Sequence, residues 1–213
     1  MSDALELKAQ SGDADSQFLI GLRYLQGDGV PQDYAVAMDW FLAASKQRQA
    51  GALFNIGSMY LKGCGVETNP RHAFEWYQKA AETAERDLLY NIAQMVESHR
   101  KVLHEDAWPF AVRCYCMAAE AGLAEAQMVI GVRLFTGEGV NENRELGVRY
   151  LELAAEQGEP FALGYLGRLN ENGNLGEPNL PHAALLYYLA TLQGHPEAKK
   201  WGCDLVNRMP AEM

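Results

Sequence analysis

The chain has 213 residues, 48% of them hydrophobic, and a mean hydropathy of −0.23. This length suits one or two globular domains, or one elongated array of repeats, and no stretch is apolar for long enough to cross a bilayer. Eighteen basic and 28 acidic side chains give a net charge of −10, which repels phosphate backbones and anionic lipid surfaces. We therefore expect neither nucleic acid nor a membrane as a partner.

The N-terminal residues and the cysteines both favour a cytoplasmic location. The opening MSDALELKAQ has no basic patch followed by an apolar run, so the sequence predicts no signal peptide. Cysteines are too few for a disulfide scaffold and form no C-x-x-C pair. Reduced thiols are the simpler interpretation for all four, which are Cys64, Cys114, Cys116 and Cys203.

The first glycine-rich stretch, GLRYLQGDGV at residues 21–30, could belong to a dinucleotide-binding loop. Such a loop needs a third glycine three positions on and a strand before it. Position 32 is Gln, and the preceding SQFLIGLRYL has the apolar spacing of a helix. The pattern returns at residues 130–140 as IGVRLFTGEGV. Repetition favours a structural role over a ligand site.

Small residues recur at two positions of a repeat of about 36 residues. The first register holds Gly21, Gly57, Ala93, Gly131 and Gly167. The second holds Ala37, Ala73, Ala111, Gly147 and Ala183. Two antiparallel helices can approach closely only where their side chains are small. Each repeat is therefore predicted to contain two helices, A and B, which touch at these positions.

The connection between the two helices also repeats. The segments GDGV, GCGV and GEGV, at 27–30, 63–66 and 137–140, predict that a glycine ends helix A in the left-handed conformation. Three residues after each valine, and at the matching place in the fifth repeat, stands a residue that favours the start of a helix. These predicted N-caps of helix B are Asp33, Asn69, Asn143 and Asn179.

The repeat resembles the Sel-1-like repeat family, a variant of the tetratricopeptide repeat. The second repeat carries the family pattern most fully, at Ala52, Ile56, Gly57, Tyr60, Gly63, Gly65, Val66, Asn69, Ala73, Trp76, Ala80 and Ala81. The resemblance implies an all-α fold, a right-handed α–α superhelix in one domain with about 12 helices. Its five repeats would cover residues 13–48, 49–84, 85–122, 123–158 and 159–194, with half repeats at 3–11 and 195–208.

Two repeats depart from the pattern. In the third, a charged stretch within residues 88–110 replaces the glycine turn and predicts that helix A is prolonged by one or two turns before Pro109. Its basic cluster is either a docking point for an acidic partner or a solvated helix end, and the second interpretation is favoured. The cluster consists of His99, Arg100, Lys101 and His104. The fifth repeat lacks the valine, so its turn at 172–181 is expected to be looser.

The resemblance implies that the A helices line a concave face. Offsets of −3, +1 and +4 from the small residue of helix A select the positions that should point into it. Apolar residues there predict a groove across repeats one to four that turns polar toward the C-terminus. The alternative is that a short superhelix buries them as core. The candidate partner-binding residues are Phe18, Leu22, Leu25, Phe54, Ser58, Leu61, Tyr90, Gln94, Met128, Val132, Phe135 and Arg168.

Catalytic chemistry is not expected. The sequence contains neither a P-loop nor a G-x-S-x-G elbow. Its five histidines are scattered, and Cys114 and Cys116 point in different directions on a helix. We therefore predict no catalytic residue, no metal ion and no cofactor.

The family resemblance implies a scaffold or adaptor that holds a protein or peptide partner in the groove. One alternative is an inhibitor or immunity-type protein that neutralises a single enzyme or toxin, and the negative charge would suit a basic target. A remote alternative is a β-lactam-binding or β-lactam-hydrolysing enzyme, but the relatives concerned carry a cysteine pair in each repeat, which this chain lacks. The oligomeric state stays open, with a monomer slightly favoured.

Overall fold

A computed structural model describes residues 4–209, and every regular element within that range is an α-helix. The all-α prediction is confirmed for this part of the chain. The residues group into two units, one up to Cys114 and the other from Tyr115, so that the boundary falls inside a helix. Whether residues 1–213 form a single solenoid domain stays a prediction.

The first unit begins with a lone helix and continues with A and B helices in alternation. Helix α2 packs on α3, and α4 packs on α5, as the two-helix repeat predicts. The lone helix lies in the half repeat predicted at 3–11, of which Asp3 is outside the described residues. The helices of this unit are α1 (Ala4–Gln10), α2 (Ala14–Gln26), α3 (Tyr34–Ser45), α4 (Ala50–Lys62), α5 (Pro70–Ala81), α6 (Arg86–Ser98), α7 (Arg100–Leu103) and the first half of α8 (Ala107–Glu120).

The second unit has the same construction and closes with a lone A-type helix. Helix α9 packs on α10, α11 packs on α12, and the terminal α13 packs on α12. Residues 4–209 hold 13 helices rather than about 12, because the third repeat contains the short α7. The unit consists of the second half of α8, then α9 (Ala124–Thr136), α10 (Arg144–Glu156), α11 (Pro160–Glu171), α12 (Leu180–Leu192) and α13 (Ala198–Arg208).

The third repeat differs from its prediction, because helix A is not prolonged. Helix α6 ends at Ser98, and His99 leaves the helical conformation with φ −110° and ψ 12°. The Ser98 hydroxyl donates to the Met95 carbonyl at 3.0 Å, so a side chain competes for the carbonyls of the last turn. The short α7 follows directly, packs on α5 and places Leu103 in the core. Pro109 lies in the first turn of α8, where a helix tolerates proline.

Close approach of A and B helices occurs at the predicted small residues. A Cβ atom at Gly57 would lie 2.8 Å from Cε1 of Tyr77 and 3.1 Å from the Ala73 carbonyl oxygen. Gly21 faces the Phe41 ring in the same way. The space that glycine leaves is thus filled by a ring four residues after the small residue of helix B. At Gly131 the Gly147 carbonyl oxygen approaches as well, to 2.9 Å from the position of a Cβ.

The predicted turns and caps are confirmed. Helices α2, α4 and α9 end at glycines with φ of 75°, 73° and 75°. This left-handed conformation is accessible to glycine at little cost. At the start of each B helix the predicted side chain accepts a hydrogen bond from a backbone N–H two or three residues later. These N-caps are Asp33, Asn69, Asn143 and Asn179.

A second set of N-caps, at the start of the A helices, was not predicted. The side chains of Asp13, Gln49 and Glu159 accept from the backbone N–H three residues later. His195 takes the same place before α13, where its Nδ1 accepts from the Ala198 N–H at 3.2 Å. Glu159 is buried, and this burial raises the pKa of its carboxyl group.

The first test concerns the close approach. We expect Gly57→Leu to lower the free energy of unfolding by about 3 kcal/mol or more, because the side chain must displace the buried Tyr77 ring. Urea denaturation followed by circular dichroism measures the change. Gly202→Ala is the control, since a Cβ there would make ordinary contact, 3.4 Å from Cβ of Tyr187. The control should be neutral or stabilising by up to about 1 kcal/mol. Equal stability of Gly57→Leu and the parent would contradict the close approach.

The second test concerns the buried cap. A carboxyl group whose pKa is raised by folding stabilises the protein at low pH, and this stabilisation is lost as the pH rises through the folded-state pKa. Glu159→Gln keeps an acceptor that Gln49 already uses as a cap and removes the titration. We therefore expect the variant to gain stability over the parent as the pH rises from the ordinary value of 4.5. Urea denaturation from about pH 4 to about pH 7 measures the difference, and a difference independent of pH would contradict this account.

Candidate functional site

The predicted partner-binding residues of the first unit lie on its A helices, and most are half-buried. Phe18 packs against the core with its ring centroid 6.0 Å from that of Phe41. Phe54, in the same register, lies 5.6 Å from the Tyr77 ring. The four rings therefore form two pairs, in which the B-helix ring is fully buried and the A-helix ring keeps part of its surface exposed.

Ser58 forms hydrogen bonds beside the Phe54–Tyr77 ring pair. Its hydroxyl lies 3.2 Å from the Tyr77 hydroxyl and donates to the Phe54 carbonyl at 3.0 Å. Burial raises the pKa of Tyr77 to about 12, so the phenol stays protonated at physiological pH. The Tyr77 ring is thus held both by its tilted contact with Phe54 and by the hydrogen bond between its hydroxyl and Ser58.

The other residues predicted in this unit differ in accessibility. Leu22 and Leu25 are half-buried and pack against the same core as Phe18. Tyr90 is half-buried and Gln94 is exposed. Leu61 differs from its prediction as a groove residue, because it is only 8% exposed and cannot line an open surface. It lies in the last turn of α4, and α6 of the following repeat packs on that helix.

In the second unit the predicted apolar positions lie closer to the core. Met128 and Val132 are half-buried and pack against the core cluster. Phe135 also differs from its prediction as a groove residue, since it is 8% exposed and belongs to the core cluster itself. Its ring meets the Tyr165 ring edge to face at 6.2 Å, and the Arg144 guanidinium lies 5.4 Å from its centroid. These two neighbours cover the ring.

In the fifth repeat, two rings that the sequence did not indicate fill the space at the A-helix position of Phe18 and Phe54. Gly164 stands where earlier repeats have Phe18 or Phe54, and a Cβ there would lie 3.1 Å from the His195 ring and 3.3 Å from Trp201. Both rings come from the terminal segment. Arg168 is exposed, and its guanidinium lies 5.8 Å from the Trp201 centroid. The one signal of this filling in the sequence was that Gly164 aligns with the aromatic residues of earlier repeats.

The basic cluster of the third repeat is partly used in internal contacts. His104 stacks on Phe74 at 5.6 Å and its Nδ1 lies 3.3 Å from the Asp106 carboxylate. The Arg100 guanidinium lies 4.8 Å from the Trp108 ring. Arg100 and Lys101 are exposed. The docking interpretation of this cluster stays a prediction.

The cysteines and acidic residues do not assemble into a reactive centre within the described chain. All four cysteines are free thiols, and burial raises the pKa of Cys114 to about 12. Residues 4–209 contain no group of three or more His, Cys, Asp or Glu side chains placed to hold a metal ion. Among the same residues, no helix has the length and apolarity needed to span a membrane.

Two solved structures share the fold at useful identity. A protective antigen of uropathogenic Escherichia coli with an SLR fold matches 98% of this chain and 44% of its own, with a TM-score of 0.78 and 26% identity. A Sel1 repeat protein from Oxalobacter formigenes matches 90% of this chain and 78% of its own, with a TM-score of 0.77 and 28% identity.

A curated mouse protein, DAP3-binding cell death enhancer 1, is 38% identical over 91 residues. The match covers 42% of this chain and only 17% of the mouse protein. This chain therefore corresponds to a small part of that relative.

The Sel1 repeat family model matches the chain five times, at residues 14–48, 50–82, 109–123, 124–159 and 160–195. Only the second half of the third repeat is matched, which agrees with the altered turn there. The resemblance drawn from the repeat pattern is confirmed, and the chain belongs to the Sel1 repeat family.

Proposed function

We propose that this protein is a scaffold that binds a protein or peptide partner through the exposed side of its A helices. Sel1 repeat proteins are generally protein-interaction scaffolds, and the fold is typically non-enzymatic. The observation that carries the proposal is the pair of half-buried rings, Phe18 and Phe54, in the same register of consecutive repeats.

The ring pairs suit binding because they are already ordered. Each exposed ring rests on a buried ring of the B helix, so little side-chain freedom remains to be lost when a partner docks. Aromatic anchors of this kind dominate the binding energy of many interfaces. Half-buried Leu22 adds an aliphatic surface and exposed Gln94 a polar one. An apolar centre with polar neighbours is the usual composition of an interface.

The charge of the chain favours a neutral or basic partner surface. A net charge of −10 attracts cationic partners and speeds their association at low salt. The same charge is compatible with a narrower role, in which the chain neutralises one basic enzyme or toxin. The number and affinity of partners separate the two roles, since a neutraliser binds one partner tightly and an adaptor binds several more weakly.

The proposal is tested with peptides selected from a random display library against the full chain. We expect Phe54→Glu to weaken the selected peptides by at least about tenfold, because a carboxylate replaces an apolar anchor. Some stability is lost too, about 1 kcal/mol, since Phe54 contacts Tyr77. Fluorescence anisotropy measures binding, and thermal denaturation confirms the fold.

A matched control places the same charge on the opposite helix. Leu42, on helix α3, is 38% exposed and lies outside the predicted face. Leu42→Glu should bind the peptides as the parent does. If Leu42→Glu abolishes binding while Phe54→Glu does not, the A-helix face is not the binding surface and the proposal is wrong. One partner held stoichiometrically from a native extract would favour the neutraliser role.

A further inference from the structure

His195 is a buried histidine whose ring caps the start of α13. Only 8% of its surface is exposed. Its Nδ1 accepts hydrogen bonds from the Glu197 N–H at 3.1 Å and from the Ala198 N–H at 3.2 Å. Since a backbone N–H can only donate, Nδ1 must present its lone pair to both groups. The ring is therefore neutral, with its one proton on Nε2.

Aromatic side chains of two helices hold this ring in place. Its centroid lies 4.9 Å from that of Phe161 on α11 and 4.8 Å from that of Trp201 on α13. Gly164 of α11 leaves space for the ring, because a Cβ there would lie 3.1 Å from Nε2. His195 therefore connects the first turn of α13 to α11, while the body of α13 packs on α12.

Protonation would change Nδ1 from an acceptor into a donor. The Glu197 and Ala198 N–H groups would then lose their acceptor, and a buried donor without an acceptor is costly. The positive charge would also lie at a helix N-terminus, where the helix dipole disfavours cations. The Trp201 ring attracts a cation, but this one contact opposes the loss of two hydrogen bonds and the unfavourable position of the charge. Acid therefore weakens the cap.

The other histidine that caps a helix has a different arrangement. His104 precedes α8, and its Nδ1 accepts from the Asp106 N–H at 3.1 Å. The Asp106 carboxylate lies 3.3 Å from the same nitrogen, at the protein surface, so a protonated His104 keeps an acceptor for its new proton. Among the described residues no ion pair joins His195 to a carboxylate. The two caps should therefore respond differently to acid.

The carboxyl groups that hold α11 and α13 do not produce the same response. Burial raises the pKa of Glu171, but hydrogen bonds from Tyr187 and Arg208 lower it overall below the ordinary value of 4.5. Glu171 therefore keeps its ion pair with Arg208 of α13 in mild acid. Burial raises the pKa of Glu159, the N-cap of α11, so acid stabilises the fold at that group.

The remaining charged side chains around the ring are solvated. Helix α12 contains no Asp, Glu, Lys or Arg, and its His182 is exposed. The other charged residues of α11, of α13 and of the segment between α12 and α13 are all exposed, and they are Arg168, Glu197, Lys199, Lys200 and Asp204. His195 is thus the buried group of this region whose protonation opposes its own hydrogen bonds.

We propose that His195 makes the docking of α13 sensitive to pH. The helix is held at neutral pH and loosened as the imidazole takes up a proton between about pH 7 and about pH 5. Helix α13 contributes Leu205 to a core cluster with Ala183 and Tyr187 of α12, so its loosening exposes apolar surface that is buried at neutral pH. The response lies in the second unit and does not depend on the proposed scaffold function.

Hydrogen–deuterium exchange of the full chain, followed by mass spectrometry from about pH 7.5 to about pH 5.5, tests the proposal. After correction for the intrinsic pH dependence of exchange, we expect protection of residues 198–208 to fall by at least about tenfold relative to α9. His195→Asn should remove this fall, because asparagine caps α5, α10 and α12 without titrating. Unchanged protection in the parent would overturn the proposal, and so would an equal fall in His195→Asn.

The same substitution at an exposed histidine is the matched control. His182→Asn should keep the fall in protection, and its loss in this variant would assign the response to His182 and overturn the proposal. Nitrogen-15 NMR of the parent gives a test without any variant. At about pH 7.5 the His195 ring should be neutral with its proton on Nε2, and a proton on Nδ1 would contradict the cap. Phe54→Glu should leave the response unchanged, so the pH response and the scaffold function can fail separately.

Discussion

The contact between the backbone of an A helix and a ring of the following B helix determines the rest of the structure. At Gly21 and Gly57 the missing Cβ allows the Phe41 and Tyr77 rings to lie against the helix. Those rings are fully buried, and their outer sides support Phe18 and Phe54. The same contact that sets the distance between the helices therefore also positions the exposed rings. Stability and the candidate site share one physical origin.

Much of the fold could be predicted because its determinants are local. Small residues at a fixed period, glycine C-caps and Asp or Asn N-caps act within a few residues, so the sequence displays them directly. The caps at Gln49, Glu159 and His195 escaped notice because these residue types are less typical at that position. The break at His99 escaped as well, because it coincides with the Ser98 bond to the Met95 carbonyl and with the packing of α7 on α5, and neither follows from a residue pattern.

The accessibility of the A-helix positions was harder to predict than the positions themselves. Register places Leu61 and Phe135 on the same face as Phe18, but register does not show which neighbours cover them. Phe135 is covered by Tyr165 and Arg144, which lie 30 and nine residues away in sequence. Each repeat adds its own side chains to the face of the previous one. The burial of a side chain therefore depends on the neighbouring repeats, whereas the formation of the helices depends on the sequence of each repeat alone.

A repeat protein supplies its own comparison for every surface position. Charged residues at the positions of Leu185 and Leu192 are compatible with packing in four other repeats, so packing does not demand leucine in α12. Solubility would favour charge there. The exposed leucine and tyrosine side chains of α12 therefore have no explanation in the packing of their own repeat. The half-buried rings of the A helices differ in this respect, because each also contributes to its own core.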